Sequence, residues 1–158
     1  MTVASARLRI VAIGRDTKGP EADLVARYAA RLQPRPDIVA LPDGTGSPAE
    51  IKRREADAIL RRLAADDLVI ALDLGGKAPD SATFAAMLAS WRESGRSLAF
   101  VIGGAEGLER RIIERADAVL SLGNLTLPHL LARAVLAEQL YRAQCILVGH
   151  PYHRAGRP

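Results

Sequence analysis

The sequence predicts an α/β fold, a mainly parallel sheet with helices on both faces, and three observations predict it. Five short apolar runs alternate with stretches whose apolar residues recur every three or four positions. The central runs, such as Leu68-Val69-Ile70-Ala71-Leu72, lack in-and-out alternation, as a strand covered on both faces does. A chain of 158 residues, 49% of them apolar, can bury one hydrophobic core and is short for two, so residues 1–158 read as a single domain.

In chain order, the first strand is expected at Leu8 to Gly14, followed by a helical pattern through Leu24, Tyr28, Arg31 and Leu32. Asp37 to Leu41 reads as the second strand, and Leu41-Pro42-Asp43-Gly44-Thr45-Gly46 as the most flexible loop. The second helix opens at Ser47-Pro48-Ala49-Glu50. There the serine accepts an early helical N–H, the glutamate reaches back to the cap, and proline in the first turn gives up no bond. Its apolar residues Ile51, Ala58, Ile59 and Leu63 keep the helical spacing. A third strand spans Leu68 to Asp73, a third helix Ser81 to Glu93, and a fourth strand Leu98 to Gly103. A short helix from Leu108 to Arg115, a fifth strand from Ala118 to Leu122 and a last helix from Pro128 to about Cys145 complete the alternation. Strand and helix alternating five times imply parallel crossover connections.

Composition excludes several classes. No apolar run approaches the roughly 20 residues needed to cross a bilayer, so no membrane segment is expected. Arg7 and Arg9 interrupt the first apolar stretch, which argues against a secretory signal. One cysteine, Cys145, allows no internal disulfide and no multi-thiolate metal site, and fits a reducing cytoplasm. The net charge is +4, and the segment from His129 to Pro158 carries four basic side chains, one acidic side chain and all three histidines. That is either a footprint for a polyanion or a solvated positive face.

In open α/β sheets ligands sit beyond the carboxyl ends of the strands, which singles out three loops. Leu72-Asp73-Leu74-Gly75-Gly76-Lys77 reads first as a turn. Ile102-Gly103-Gly104-Ala105-Glu106-Gly107 holds three glycines in five residues, more than a turn needs, and suits a backbone facing a ligand. It has neither the ending of a P-loop nor dinucleotide-fold spacing. Leu122-Gly123-Asn124-Leu125-Thr126-Leu127-Pro128-His129 sets backbone polar groups between apolar side chains, a lining suited to a flat heteroaromatic ring such as adenine, or simply a buried connection. All three loops are expected at one end of the sheet.

The last helix carries His129, Arg133, Glu138 and Arg142 among Leu, Ala and Val. Glu138 and Arg142 have the spacing and order of an ion pair, whereas His129 and Glu138 fall on opposite faces, so one site would use both only across a dimer interface. In the tail His150-Pro151-Tyr152-His153-Arg154, an aromatic ring can stack on a base and Arg154 can grip phosphate or a base edge; a frayed terminus is the plain alternative.

Taken together, LDLGGK, FVIGGAEGL, SLGNLTLPH, LAEQLYRA and HPYHR resemble the RlmH family of SPOUT-class methyltransferases, which methylate N3 of a pseudouridine in large-subunit ribosomal RNA. The resemblance runs from Leu8 to Arg154, with its most specific motifs in the C-terminal half. It implies a C-terminal trefoil knot that binds S-adenosyl-L-methionine, which periodicity alone would not suggest because chains are ordinarily unknotted. It implies a homodimer with each site formed across the interface, acting on ribosomal RNA within the assembled ribosome. By position it places cofactor contacts on Leu72, Gly103, Leu122, Gly123, Asn124, Leu125, Thr126 and Leu127. Substrate-side and catalytic candidates are His129, Arg133, Glu138, Arg142, Tyr152, His153 and Arg154. Either His129 or His153 is a chemically sensible acceptor for the N3 proton. Two other readings stay open on the residues: the same fold acting on a transfer RNA or a ribose hydroxyl, and a non-enzymatic RNA- or nucleotide-binding module.

Overall fold

A computed structural model describes residues 6–15 and 18–154. Five parallel strands form one sheet in the order β2-β1-β4-β3-β5: β1 (Leu8–Ile13), β2 (Asp37–Leu41), β3 (Leu68–Lys77), β4 (Leu98–Ile102) and β5 (Ala118–Leu120). The intervening helices are α1 (Pro20–Ala29), α2 (Pro48–Leu60), α3 (Ser81–Glu93), α4 (Arg110–Arg115) and α5 (His129–Val148).

Every residue of β4 is buried, and β4 and β1 occupy the middle of the sheet, which explains their unbroken apolar character. Alternate residues still divide between two cores. Leu8, Ile10, Leu68, Ile70, Leu98 and Phe100 pack with Phe84 and Leu88 of α3 and Leu136 and Leu140 of α5. Val11, Ile13, Val69, Ala71, Ala99 and Val101 pack with Ala56 and Ile59 of α2 and Ile112 of α4. Helix α5 lies against both α1 and α3. The charge inside β1 is accounted for: Arg9 pairs with the buried Asp67 and donates to the Arg62 carbonyl at 2.7 Å.

The α2 start forms as expected, with Ser47 Oγ accepting the Glu50 N–H at 3.2 Å and Pro48 in the first turn. Other boundaries differ. Helix α5 extends to Val148, where Gly149 closes it in a left-handed conformation (φ 73°), and α4 begins only at Arg110. Strand β5 stops at Leu120 rather than Leu122.

The largest correction concerns LDLGGK. It is no simple turn after β3; the strand continues through it to Lys77. Leu72 and Lys77 both pair with Leu120, so residues 73–76 make an excursion between two registers, after which the Ser121 N–H donates to the Lys77 carbonyl at 2.8 Å. Neither Gly75 nor Gly76 has a positive φ. Gly76 is needed for close approach instead: a Cβ there would lie 2.5 Å from the Val119 carbonyl oxygen.

Candidate functional site

The three segments do converge. The excursion of β3, the glycine loop after β4 and the chain from Leu120 to His129 enclose a cleft of about 720 Å³, within the usual range for small-molecule sites. Leu72, Leu122, Leu125 and Leu127 supply apolar surface, and Gly103 and Gly123 present backbone. Gly103 packs so tightly that a Cβ would come within 2.8 Å of the Gly107 carbonyl carbon, so the loop 103–107 folds back on itself. Ser121 Oγ accepts the Gly123 N–H at 3.1 Å and donates to the Gly123 carbonyl at 2.9 Å, which holds the turn leaving β5.

Of the cofactor candidates, Leu72, Gly103, Leu122, Gly123, Leu125, Thr126 and Leu127 line this cleft. Asn124 is exposed and lies outside the lining. His129, at the first turn of α5, stands at the same cleft and rests on Gly14, where a Cβ would lie 3.0 Å from its Nε2. Arg133 is not brought to the cleft. It is buried, and its guanidinium donates to the carbonyls of Ile13 and Gly14 at 3.1 and 2.9 Å, fastening α5 to the end of β1.

The remaining candidates form a second group. Glu138 Oε1 accepts from Arg142 at 2.6 Å and from the Tyr152 hydroxyl at 3.0 Å. Arg142 also lies 3.1 Å from His153 Nδ1, and its guanidinium sits 4.9 Å from the centre of the Tyr152 ring. Tyr152 further packs edge-on against Tyr141 at 4.8 Å. The tail through His153 is therefore bound to α5, and Arg154 is exposed beyond it. Burial, with hydrogen bonds to Tyr28 and Glu138, pushes the Tyr152 phenol well above its ordinary range, so it remains a neutral donor. The Glu138 carboxylate raises the Arg142 guanidinium in turn.

His153 lines a second hollow of about 500 Å³ with Ser81, Gln139, Leu122 and Gly123. Leu120, Leu122 and Gly123 border both hollows, so the cleft with His129 and the tail group lie on either side of one thin wall. Asp80 caps α3 beside this hollow, and the Thr83 N–H that it accepts at 2.7 Å holds its carboxyl below the usual range.

Sequence reasoning passed over Asp73 and Glu106, which line the cleft, and Glu55, buried behind it. The signal for Glu55 was available: it stands midway between Ile51 and Ile59 at helical spacing, on a stripe that is otherwise apolar.

A family model described as "Predicted SPOUT methyltransferase" matches residues 6–153. The chain is 92% identical, over the full length of both proteins, to "Ribosomal RNA large subunit methyltransferase H" of Acidiphilium cryptum (strain JF-5). It is 53% identical to the protein of the same name from Gluconacetobacter diazotrophicus, covering 96% of this chain and 99% of that one. Two solved structures share the fold: a probable methyltransferase from Bordetella pertussis Tohama I (TM-score 0.54, 18% identity, 87% of this chain and 94% of that one) and a probable methylase family protein from Haemophilus influenzae Rd KW20 (TM-score 0.55, 15% identity, 98% and 73%).

Proposed function

The chain belongs to the SPOUT methyltransferase family, and on that premise we propose that it methylates N3 of a pseudouridine in large-subunit ribosomal RNA, with S-adenosylmethionine as the methyl donor. The observation that carries this reading is the convergence of Leu72, Gly103 and the run Leu122 to Leu127, apart from Asn124, on one cleft with His129 at its edge. The fit to the donor rests on that lining: leucines to cover a flat base, and backbone polar groups between them to read its edge. When bound there, S-adenosylmethionine supplies a methyl group that is already activated.

The protein's work is then alignment and proton transfer. Leu72, Gly103 and the run Leu122 to Leu127 without Asn124 hold the donor. N3 of the neutral base carries a proton, and the imidazole of His129 or His153 accepts it as the new N–C bond forms. Arg154, exposed beyond the anchored tail, grips the nucleotide, and the Tyr152 hydroxyl, fixed on Glu138, orients it. Arg142 and Glu138 keep the tail in place rather than touching the base.

The active unit is a homodimer. Within one protomer His129 and the tail group lie on opposite sides of the wall at Leu120 to Gly123, so a partner's tail is needed to face a given cleft. Leu131, Leu147 and Val148 leave exposed apolar surface on α5 for such a contact. The path from β5 through residues 121–128 into α5, which returns between α1 and α3, accommodates the C-terminal trefoil knot.

No helix among the described residues is long and apolar enough to cross a membrane. The enzyme acts in the cytoplasm on the assembled ribosome, where a target hairpin is presented in a fixed shape to a small protein with little surface for reading sequence. The test is methyl transfer from labelled S-adenosylmethionine to intact ribosomes from a strain lacking the homologous gene, followed by nucleoside analysis. N3-methylpseudouridine in large-subunit RNA, formed much faster on ribosomes than on protein-free RNA, is the expected result. Label in another nucleoside refutes the target, and equal rates on both substrates refute the ribosome requirement.

A further inference from the structure

The charge of the cleft runs against the charge of the chain. The protein has 22 basic residues and a net charge of +4, yet among the described residues no lysine or arginine lines the cleft, and the ionisable side chains that do are Asp73, Glu106 and His129. A third acid lies behind its wall. Glu55 is 4% exposed; its Oε1 accepts the Gly44 N–H at 3.0 Å, and its Oε2 is buried with no partner among the described residues. The carboxylate is pressed against the cleft residue Gly104, where a Cβ would lie 3.0 Å from both of its oxygens.

A carboxylate held by a single backbone donor is costly to bury, and the cost is offset when a positive charge comes close. The Gly104 backbone lies between the Glu55 carboxylate and the cleft, so the field of the buried charge is weakly screened there. The methyl donor brings such a charge. In the reaction the carbon–sulfur bond breaks with both electrons going to sulfur, the methyl bonds to N3, the N3 proton passes to the base, and the sulfur becomes an uncharged thioether.

We propose that Glu55, with Asp73 and Glu106, makes this cleft select the sulfonium form of the cofactor over the thioether product. The inference rests on the cofactor reading above and deepens it. Glu55 acts through the wall at Gly104 as a specificity-determining group and takes no part in the bond changes. Its effect is on turnover: after transfer the acids no longer hold the sulfur, so the product leaves and a fresh sulfonium displaces it.

Calorimetric titration of the full chain tests this without measuring activity. The probes are S-adenosylmethionine, S-adenosylhomocysteine, and an analogue in which a protonated amine replaces the methylated sulfur. The wild type is expected to bind both cations about tenfold more tightly than the thioether, as weakly screened opposite charges require. Glu55→Gln retains a carbonyl oxygen for the Gly44 N–H and loses only charge. It is expected to lower the cation preference about threefold or more and to leave thioether affinity nearly unchanged. Glu106→Gln, at an exposed position, is expected to shift the preference in the same direction by less, and with the wild type it decides the matter if Glu55→Gln does not fold. A wild type without cation preference overturns the inference, as does a preference that neither variant alters, or sulfonium and thioether affinities that fall together. Binding of neither ligand by the wild type overturns the cofactor reading as well; binding of both without preference overturns this inference alone.

Discussion

Gly76→Ala tests how the sheet shapes the cleft. The new methyl would stand 2.5 Å from the Val119 oxygen, 2.6 Å from its carbonyl carbon and 2.8 Å from the Leu120 nitrogen. All three are backbone atoms of β5, so no side chain can swing away. Backbone conformation is not at issue, because φ at Gly76 is not positive. Overpacking of this kind costs about 1–3 kcal/mol, and a clash with three backbone atoms belongs at the upper end. For a chain of this size about 3 kcal/mol corresponds to a fall in Tm of roughly 6–12 °C. Relief comes from moving β5 away from β3, which displaces residues 121–128 and opens the cleft. Thermal unfolding and cofactor titration, run side by side, are therefore expected to show a lower Tm together with affinity reduced at least about tenfold. Gly95→Ala is the control: φ is 73° there and a Cβ would meet nothing within 4 Å. It should cost about 1 kcal/mol through backbone strain and leave affinity alone. A Gly76→Ala protein with unchanged Tm and affinity within twofold of wild type would refute the role assigned to the β3 excursion.

Glu138→Gln removes the charge that Arg142 and Tyr152 share, and methyl transfer to ribosomes is expected to fall at least about tenfold while cofactor affinity, read by calorimetry, stays put. Arg133→Ala leaves the Ile13 and Gly14 carbonyls without their buried donor, for an expected loss of about 2–3 kcal/mol in denaturant unfolding. The raised Tyr152 phenol stabilises the fold fully below the unfolded tyrosine value of about 10 and ceases to do so as pH rises through its higher folded value. Difference absorbance between wild type and Tyr152→Phe should accordingly show no phenolate from this residue up to pH about 10. A phenolate forming near pH 9 would contradict the buried bond to Glu138. Ser47→Ala, at a helix start outside the cleft lining, is expected to cost about 1 kcal/mol with transfer unchanged, measured by thermal unfolding and the ribosome assay.

Much of the molecule was legible before any coordinates. The five apolar runs became the five strands, Ser47 capped α2, and the three loops chosen from the strand ends met at one cleft, because periodicity and cap chemistry are local properties. The opposed faces of α5 also held: His129 reached the cleft and Glu138 the tail.

Other features depend on contacts between residues far apart in the chain. Gly75-Gly76 has the composition of a turn, yet the constraint on Gly76 comes from β5, some forty residues on, and a glycine pair carries no mark of what passes over it. Arg133 looked available to substrate until α5 was laid across β1, where two carbonyls claim its guanidinium. Glu55 stands on an apolar helical stripe, but only the packing of Gly44 and Gly104 against its carboxylate gives it a place at the cleft wall. Strand order belongs with these, since β1 and β4 pair across three intervening helices and no local pattern names a strand's neighbour. A side chain's spacing states which face it occupies, whereas its burial, its partner and its charge environment arise only when distant segments pack together.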